Sequence, residues 1–197
     1  MRRRLGSLLL LAAVALLLGG CGTNDDEPPA TTQATTGTQT ETVDGIDPMD
    51  DASTDPVTVP ATNTETALLT DVRAARHEGY DRVVFEFGNV LPGYDVRYVE
   101  KPVHQDASGL VVPVAGTYVV QVRMENALDA DLTQEAAPLT YTGPQRFSPG
   151  TPEVVELVRT GGFEAVLTWV AGLNDRVDFR VLTLQGPPRL VVDFRNH

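Results

Sequence analysis

Gly79-Tyr80-Asp81-Arg82-Val83-Val84-Phe85-Glu86-Phe87 places Val83, Phe85 and Phe87 on one side of an extended chain and Arg82 and Glu86 on the other. Successive side chains point to opposite faces of a strand, so this alternation predicts a strand with one buried and one solvated face. The same reading holds further along. Tyr94, Val96 and Tyr98 alternate with Asp95 and Arg97, and Tyr118, Val120, Val122 and Met124 alternate with Gln121, Arg123 and Glu125. Apolar runs at 154–158, 165–170, 177–184 and 190–194 complete the set. Gly79, Pro92-Gly93, Gly116, Pro149-Gly150, Gly161-Gly162 and Gly186-Pro187-Pro188 stand between them as turn residues. The one helical candidate is Glu125 to Glu135, where Ala127, Leu128, Ala130 and Leu132 suit a turn or two. About eight short strands with one wet face each predict an all-β fold, a β-sandwich of two roughly symmetric sheets.

The chain also matches itself. Slid along its own length without a gap, Arg76, Gly79, Tyr80, Asp81, Val83 and Val84 fall on Arg159, Gly162, Phe163, Glu164, Val166 and Leu167. The same slide sets Asp95-Val96-Arg97 on Asp178-Phe179-Arg180, and with slight slippage Leu110-Val111-Val112 meets Leu190-Val191-Val192. Two copies of one strand unit are expected, each supplying a sheet or half of one.

The amino-terminal part has a different character. Arg2, Arg3 and Arg4 precede an apolar run over 8–18, which is the pattern of an export signal and is too short for a comfortable membrane span. Leu18-Gly19-Gly20-Cys21 resembles the lipobox of bacterial lipoproteins. That resemblance implies removal of residues 1–20, a thioether-linked diacylglycerol on Cys21 and attachment to the extracytoplasmic face of the cell membrane. A plain secretory signal or a short membrane anchor is the alternative. Residues 21–66 are rich in Thr, Asp and Pro and hold no aromatic residue, Lys or Arg, so they read as a disordered tether. Such a coil spans on the order of 35–40 Å. Its threonine pairs Thr31-Thr32 and Thr35-Thr36 are candidate sites for O-linked sugars, with a bare solvated spacer as the other reading. The folded unit is placed at 67–197.

Within that unit the strings Gly79 to Phe87 and Pro92-Gly93-Tyr94 resemble the start of the AMIN-like domains of actinobacterial envelope lipoproteins. Gly162-Phe163-Glu164-Ala165-Val166-Leu167-Thr168-Trp169, Phe179-Arg180-Val181 and Pro187-Pro188-Arg189-Leu190-Val191-Val192-Asp193 are similar to its second half. The resemblance, which covers nearly all of 68–197, implies a sandwich and a non-catalytic module that binds the cell envelope. AMIN domains target amidases and secretins to the envelope by binding peptidoglycan. They are usually appended to an effector, and no second domain is read here. The family's ligand residues do not carry over position by position.

Charge and residue types narrow the chemistry. The 197 residues carry 15 Lys+Arg against 27 Asp+Glu, a formal net charge of -12. Nucleic acid is therefore not an expected partner, since such binding rests on basic residues neutralising phosphates. The single cysteine excludes an intrachain disulfide and any cysteine-only metal cluster. Ser53, Ser108 and Ser148 sit in no nucleophile elbow, and His77, His104 and His197 lack metal-ligand spacing. Asp129 and Asp131 are weighed as calcium ligands and set below a solvated acidic loop. No enzyme, catalytic residue, metal or cofactor is expected.

Candidate ligand contacts are the arginines opposite the apolar faces: Arg97, Arg123 and Arg180, next to Asp95, Glu125 and Asp178, with Arg189 in the closing strand. Arginine forks recognise carboxylates and phosphates, which wall polymers present. Cross-strand ion pairing is the competing use of the same residues. Asp193 and Arg195, on one face of the closing strand, are likewise expected to pair with neighbours. Trp169 and Tyr98 are weighed as sugar-stacking aromatics against a place in the core. The leading functional expectation is a membrane-anchored binder of peptidoglycan or wall polymer. The alternative is an accessory lipoprotein that takes an envelope enzyme or transporter through a sheet edge.

Overall fold

The computed structural model describes residue 47 and residues 49–197. The leader, Cys21 and the tether up to residue 46 lie outside the described residues. Thirteen strands follow in order: β1 (Val57–Val59), β2 (Ala67–Arg76), β3 (Tyr80–Phe87), β4 (Gly93–Val99), β5 (Val103–His104), β6 (Val111–Val112), β7 (Tyr118–Glu125), β8 (Ala127–Leu128), β9 (Arg146–Phe147), β10 (Val154–Phe163), β11 (Val166–Leu173), β12 (Phe179–Leu184) and β13 (Arg189–Arg195).

Alternation builds two large sheets from them. The first runs β1-β4-β7-β11-β10-β9 and the second β12-β13-β3-β2-β8, with β5-β6 as a separate hairpin. All pairings are antiparallel except β2 with β8. Val83, Phe85 and Phe87 from the second sheet meet Val120, Val122, Met124 and Trp169 from the first in one core. Burial of each such side chain contributes about 1.5–3 kcal/mol. Trp169 is fully buried, edge-on to Phe85 and to Tyr141 at 6.2 and 5.9 Å, so the structure places it among core residues rather than on a sugar-binding face. A smaller cluster of Val103, Val119, Val158 and Val170 lies on the other face of the first sheet, beneath the β5-β6 hairpin.

The two halves exchange partners. Hairpin β2-β3 lies in the second sheet and the following pair β4-β7 in the first; hairpin β10-β11 lies in the first and the following pair β12-β13 in the second. The spatial orders β4-β7-β11-β10 and β12-β13-β3-β2 are therefore the same order with the halves swapped. This repeat corrects one expected correspondence. The counterpart of β13 is β7, not the Leu110 to Val112 stretch, where Leu110 and Val111 are exposed.

One strand goes unread and three further expectations change, each for a local reason. Strand β2 escapes period-two reading because a register shift between Leu69 and Asp71 breaks the alternation of its buried residues. Gly161-Gly162 is not a turn but the end of β10; the turn is Glu164-Ala165, both in the left-handed region at φ 52 and 56°. Glu125 to Glu135 forms no helix; its first residues belong to β7 and β8, with Asn126 between them at φ 56°. The assigned tether end at residue 66 is also too late. Val57–Val59 pairs with β4, Ser53 bridges Phe179, and Met49 is 1% exposed, so the described residues from 49 to 66 pack on the domain. Their threonines and acids conceal this from composition, because only a few residues, Met49 and Val57 among them, carry the attachment.

Candidate functional site

On the outer face of the first sheet, β4 and β7 are in register with Asp95 opposite Arg123 and Arg97 opposite Gln121. The guanidinium of Arg97 donates to both oxygens of Asp95, and the Thr58 hydroxyl of β1 donates to Asp95 Oδ2 at 2.6 Å. These contacts, Arg97 foremost, hold the Asp95 carboxyl below the usual aspartate range. Arg123 donates to Glu125 on its own strand. The ladder of two arginines, two carboxylates and the Gln121 amide lines a shallow cavity of about 350 Å³. Its charges balance.

On the outer face of the second sheet, Asp193 is fully buried and takes two arginines. Arg82 Nε and Nη2 donate to its two oxygens at 2.7 and 2.9 Å, and Arg180 Nε donates to Oδ2 at 3.0 Å. Both guanidinium groups also lie over the Tyr80 ring, at 5.1 and 5.6 Å from its centre. Arg180 is thus tied to Asp193 and, at 3.7 Å, to Asp51, not to the Asp178 named from sequence. Arg189 Nε donates to the Pro187 carbonyl at 3.2 Å. Asp193 and Arg195 do pair with neighbours, Arg195 reaching Asp47 at 2.8 Å. The four candidate arginines do not converge: Arg97 and Arg123 share the first sheet, Arg180 and Arg189 the second.

Two other cavities bear on the chemistry. One of about 360 Å³ lies by Val59–Asn63 and the loop before β4, with Tyr94, Thr183 and Gln185, and carries no charged side chain. Another of about 240 Å³ lies at the β10 bulge beside Asp106 and Arg159. Tyr98 is half-buried; its hydroxyl donates to the Val177 carbonyl at 2.6 Å and accepts from the Val177 N–H at 3.0 Å. Burial pushes its pKa up to about 12, so it serves the core. Asp129 pairs with Arg159 at 2.8 Å, while Asp131 accepts from Thr133 and Gln134, so the two aspartates have separate partners. Among the described residues no group of three His, Cys, Asp or Glu side chains is arranged to hold a metal ion.

A two-sheet sandwich with broad polar outer faces and shallow cavities defines a β-sandwich module with its chemistry on the surface. A family model, that of the AMIN-like domain, matches residues 67–196, and the chain belongs to that family. No curated protein and no solved structure matches the chain.

Sequence reasoning passed over two polar residues that hold this frame. Asp81 is fully buried, and its Oδ2 accepts the N–H groups of Glu153 and Val154 at 2.6 and 3.0 Å while Oδ1 accepts from Asn196 Nδ2 at 2.6 Å. It joins β3 of one sheet to the start of β10 in the other. The available signal was its inward position in the series Asp81, Val83, Phe85, Phe87. Asp106 is the second. Its Oδ2 accepts from the Thr168 hydroxyl at 2.6 Å, and a Cβ on Gly161 would stand 1.8 Å from that oxygen. Gly161 is a glycine because the carboxylate needs the space.

Proposed function

We propose that this protein is a non-catalytic cell-envelope-binding module, tethered by a lipid on Cys21 to the extracytoplasmic face of the membrane, with peptidoglycan or another wall polymer as ligand. The observation that carries this reading is the open polar ladder of Asp95, Arg97, Gln121, Arg123 and Glu125 on the first sheet, in a chain of the AMIN-like family. Small-molecule sites bury most of their ligand in a concave, largely apolar pocket. A flat field of amide, guanidinium and carboxylate groups instead suits a polymer lying across it, touched at several points.

Co-sedimentation of the full chain with purified peptidoglycan tests the reading. Pelleting above that of an unrelated β-sandwich protein is expected, with a loss in Gln121→Ala and Arg123→Gln; equal pelleting of protein and control would refute it. Replacement of Cys21 by Ser is expected to release the protein from membranes.

A second reading is supported by the edge of β2. Since the His77 N–H bonds to the Tyr80 carbonyl at 2.8 Å, alternation turns the backbone groups of Ala74 and Arg76 away from β3. They have no partner there among the described residues, and a strand from an envelope protein fits that edge. Retention of one stoichiometric protein in a membrane pull-down is its required result.

A further inference from the structure

The outer face of the second sheet holds a cavity of about 240 Å³ between the ends of β2 and the β12-β13 turn. Register explains its floor. Arg73 of β2, Val84 of β3, Val191 of β13 and Leu182 of β12 stand side by side in one row. Val84 and Val191 are 8% and 0% exposed although no further layer of strands lies on this face among the described residues. Arg82 flanks the valines in the next row on one side, and Arg189 flanks them on the other. Ala74, Ala75, Leu184 and His77 complete the wall.

Charge separates this cavity from the other three. The ladder on the first sheet balances two arginines with Asp95 and Glu125, the cavity at the β10 bulge has one arginine and one aspartate, Arg159 and Asp106, in its lining, and the cleft at Val59–Asn63 has no charge. Here three arginines and a histidine line the wall with no carboxylate among them, in a chain of net charge -12. Nearby acids compensate only in part. Asp193 serves both Arg82 and Arg180, Arg73 is taken by Asp71 and Glu86, and Arg189, whose cross-strand neighbour Glu86 is bonded to Arg73, has no carboxylate within 4.0 Å among the described residues. Among the described residues Arg189 bonds a carbonyl through Nε, and its two terminal nitrogens have no hydrogen-bond partner there and can form a fork.

We infer that this basin is a binding site for an aliphatic carboxylate, with the apolar chain along the exposed side chains of Ala75 and Leu184 and the carboxylate on Arg189. A single negative charge matches the one lining guanidinium that has no ion pair among the described residues. The site is on the sheet opposite the polar ladder and does not depend on polymer binding there.

Hexanoate is the probe, titrated into the full chain and followed by amide chemical shifts, with hexanol, acetate and hexyl phosphate as parallel arms. Saturable shifts confined to Arg73–His77, Arg82–Val84 and Arg189–Val191 are expected, with acetate and hexanol each at least tenfold weaker. Arg189→Gln is expected to weaken hexanoate roughly tenfold, the usual effect of losing a charge-assisted hydrogen bond. Ala75→Leu, which fills the basin and keeps every charge, is expected to abolish binding while thermal unfolding confirms the fold. Hexanol binding as well as hexanoate, hexyl phosphate binding tenfold more tightly, or shifts that persist unchanged in both variants would overturn the assignment.

Discussion

Asp193 of β13 and Arg123 of β7 each stand at the centre of a cross-strand row on the outer face of their sheets, with opposite charge. Asp193 stands between Arg180 of β12 and Arg82 of β3, and Arg123 stands between Asp95 of β4 and Thr168 of β11. The two rows are opposite in polarity at their centres. The two sheets differ: on the second, a fully buried carboxylate is wrapped by two arginines, whereas on the first Asp95 is buried beside the half-exposed Arg97, Arg123 and Glu125.

Asp193→Ala should destabilise the fold by about 3 kcal/mol, because it leaves Arg82 and Arg180 close together with only the exposed Asp51, 3.7 Å from Arg180, as counter-charge. Arg123→Ala, whose side chain is 40% exposed and paired only on its own strand, should cost less than about 1 kcal/mol. Urea denaturation of the two variants checks the contrast, and comparable losses would show that the exchanged positions are energetically alike.

Glu153 gives a pH dependence of definite sign. Burial raises its pKa above the ordinary glutamate value, against the bond it accepts from the Asp175 N–H at 2.9 Å, with the charges of Asp175 and Asp81 acting in the same direction as burial. A folded pKa above the unfolded one means that the native state holds the proton to higher pH. This contribution to stability is full below the unfolded value and is lost as pH rises through the folded value. Glu153→Gln keeps the acceptor for Asp175 and should equal or exceed the parent in stability at pH 7, the parent gaining on it as pH falls towards 4.5. A variant less stable at pH 7 by a margin that acid does not change would contradict the burial account.

Much of the frame was legible because burial on one face writes itself as alternation. Val83-Phe85-Phe87 and Val120-Val122-Met124 were read correctly as inward rows for that reason. β11 was found as an apolar run rather than by alternation, since the β5-β6 hairpin covers its second face and buries Val170 as well as Trp169. What could not be read is what depends on distant contacts. The register shift that hides β2, and the strap around Met49, follow from partners far away in the chain. Of the candidate site, the residue types were legible and their grouping was not: nothing local says that Arg97 and Arg123 lie on one sheet and Arg180 and Arg189 on the other.

The strap makes its own prediction. Met49 is 1% exposed, the Arg195 guanidinium donates to its carbonyl at 3.0 Å, and Ser53 exchanges two backbone bonds with Phe179. Met49→Ala should therefore cost about 2–4 kcal/mol, as truncations of buried side chains do. Limited proteolysis of the full chain should yield a stable fragment that begins before Met49; trimming to Ala67 without loss of stability would show that the strap contributes nothing.

Gly161 and Asp106 offer the sharpest test of a single contact. A methyl group on Gly161 meets the Asp106 carboxylate, so Gly161→Ala must push Asp106 away from the Thr168 hydroxyl and loosen the β5-β6 hairpin over Val158 and Val170. Overpacking of this kind costs roughly 1–3 kcal/mol. Asp106→Ala removes the obstacle and the hydrogen bond together, so the double variant should be little worse than Asp106→Ala alone. Equilibrium unfolding of the four proteins gives the coupling. Strictly additive losses would mean that Gly161 is required for the backbone of the bulge rather than for the side chain that lies against it.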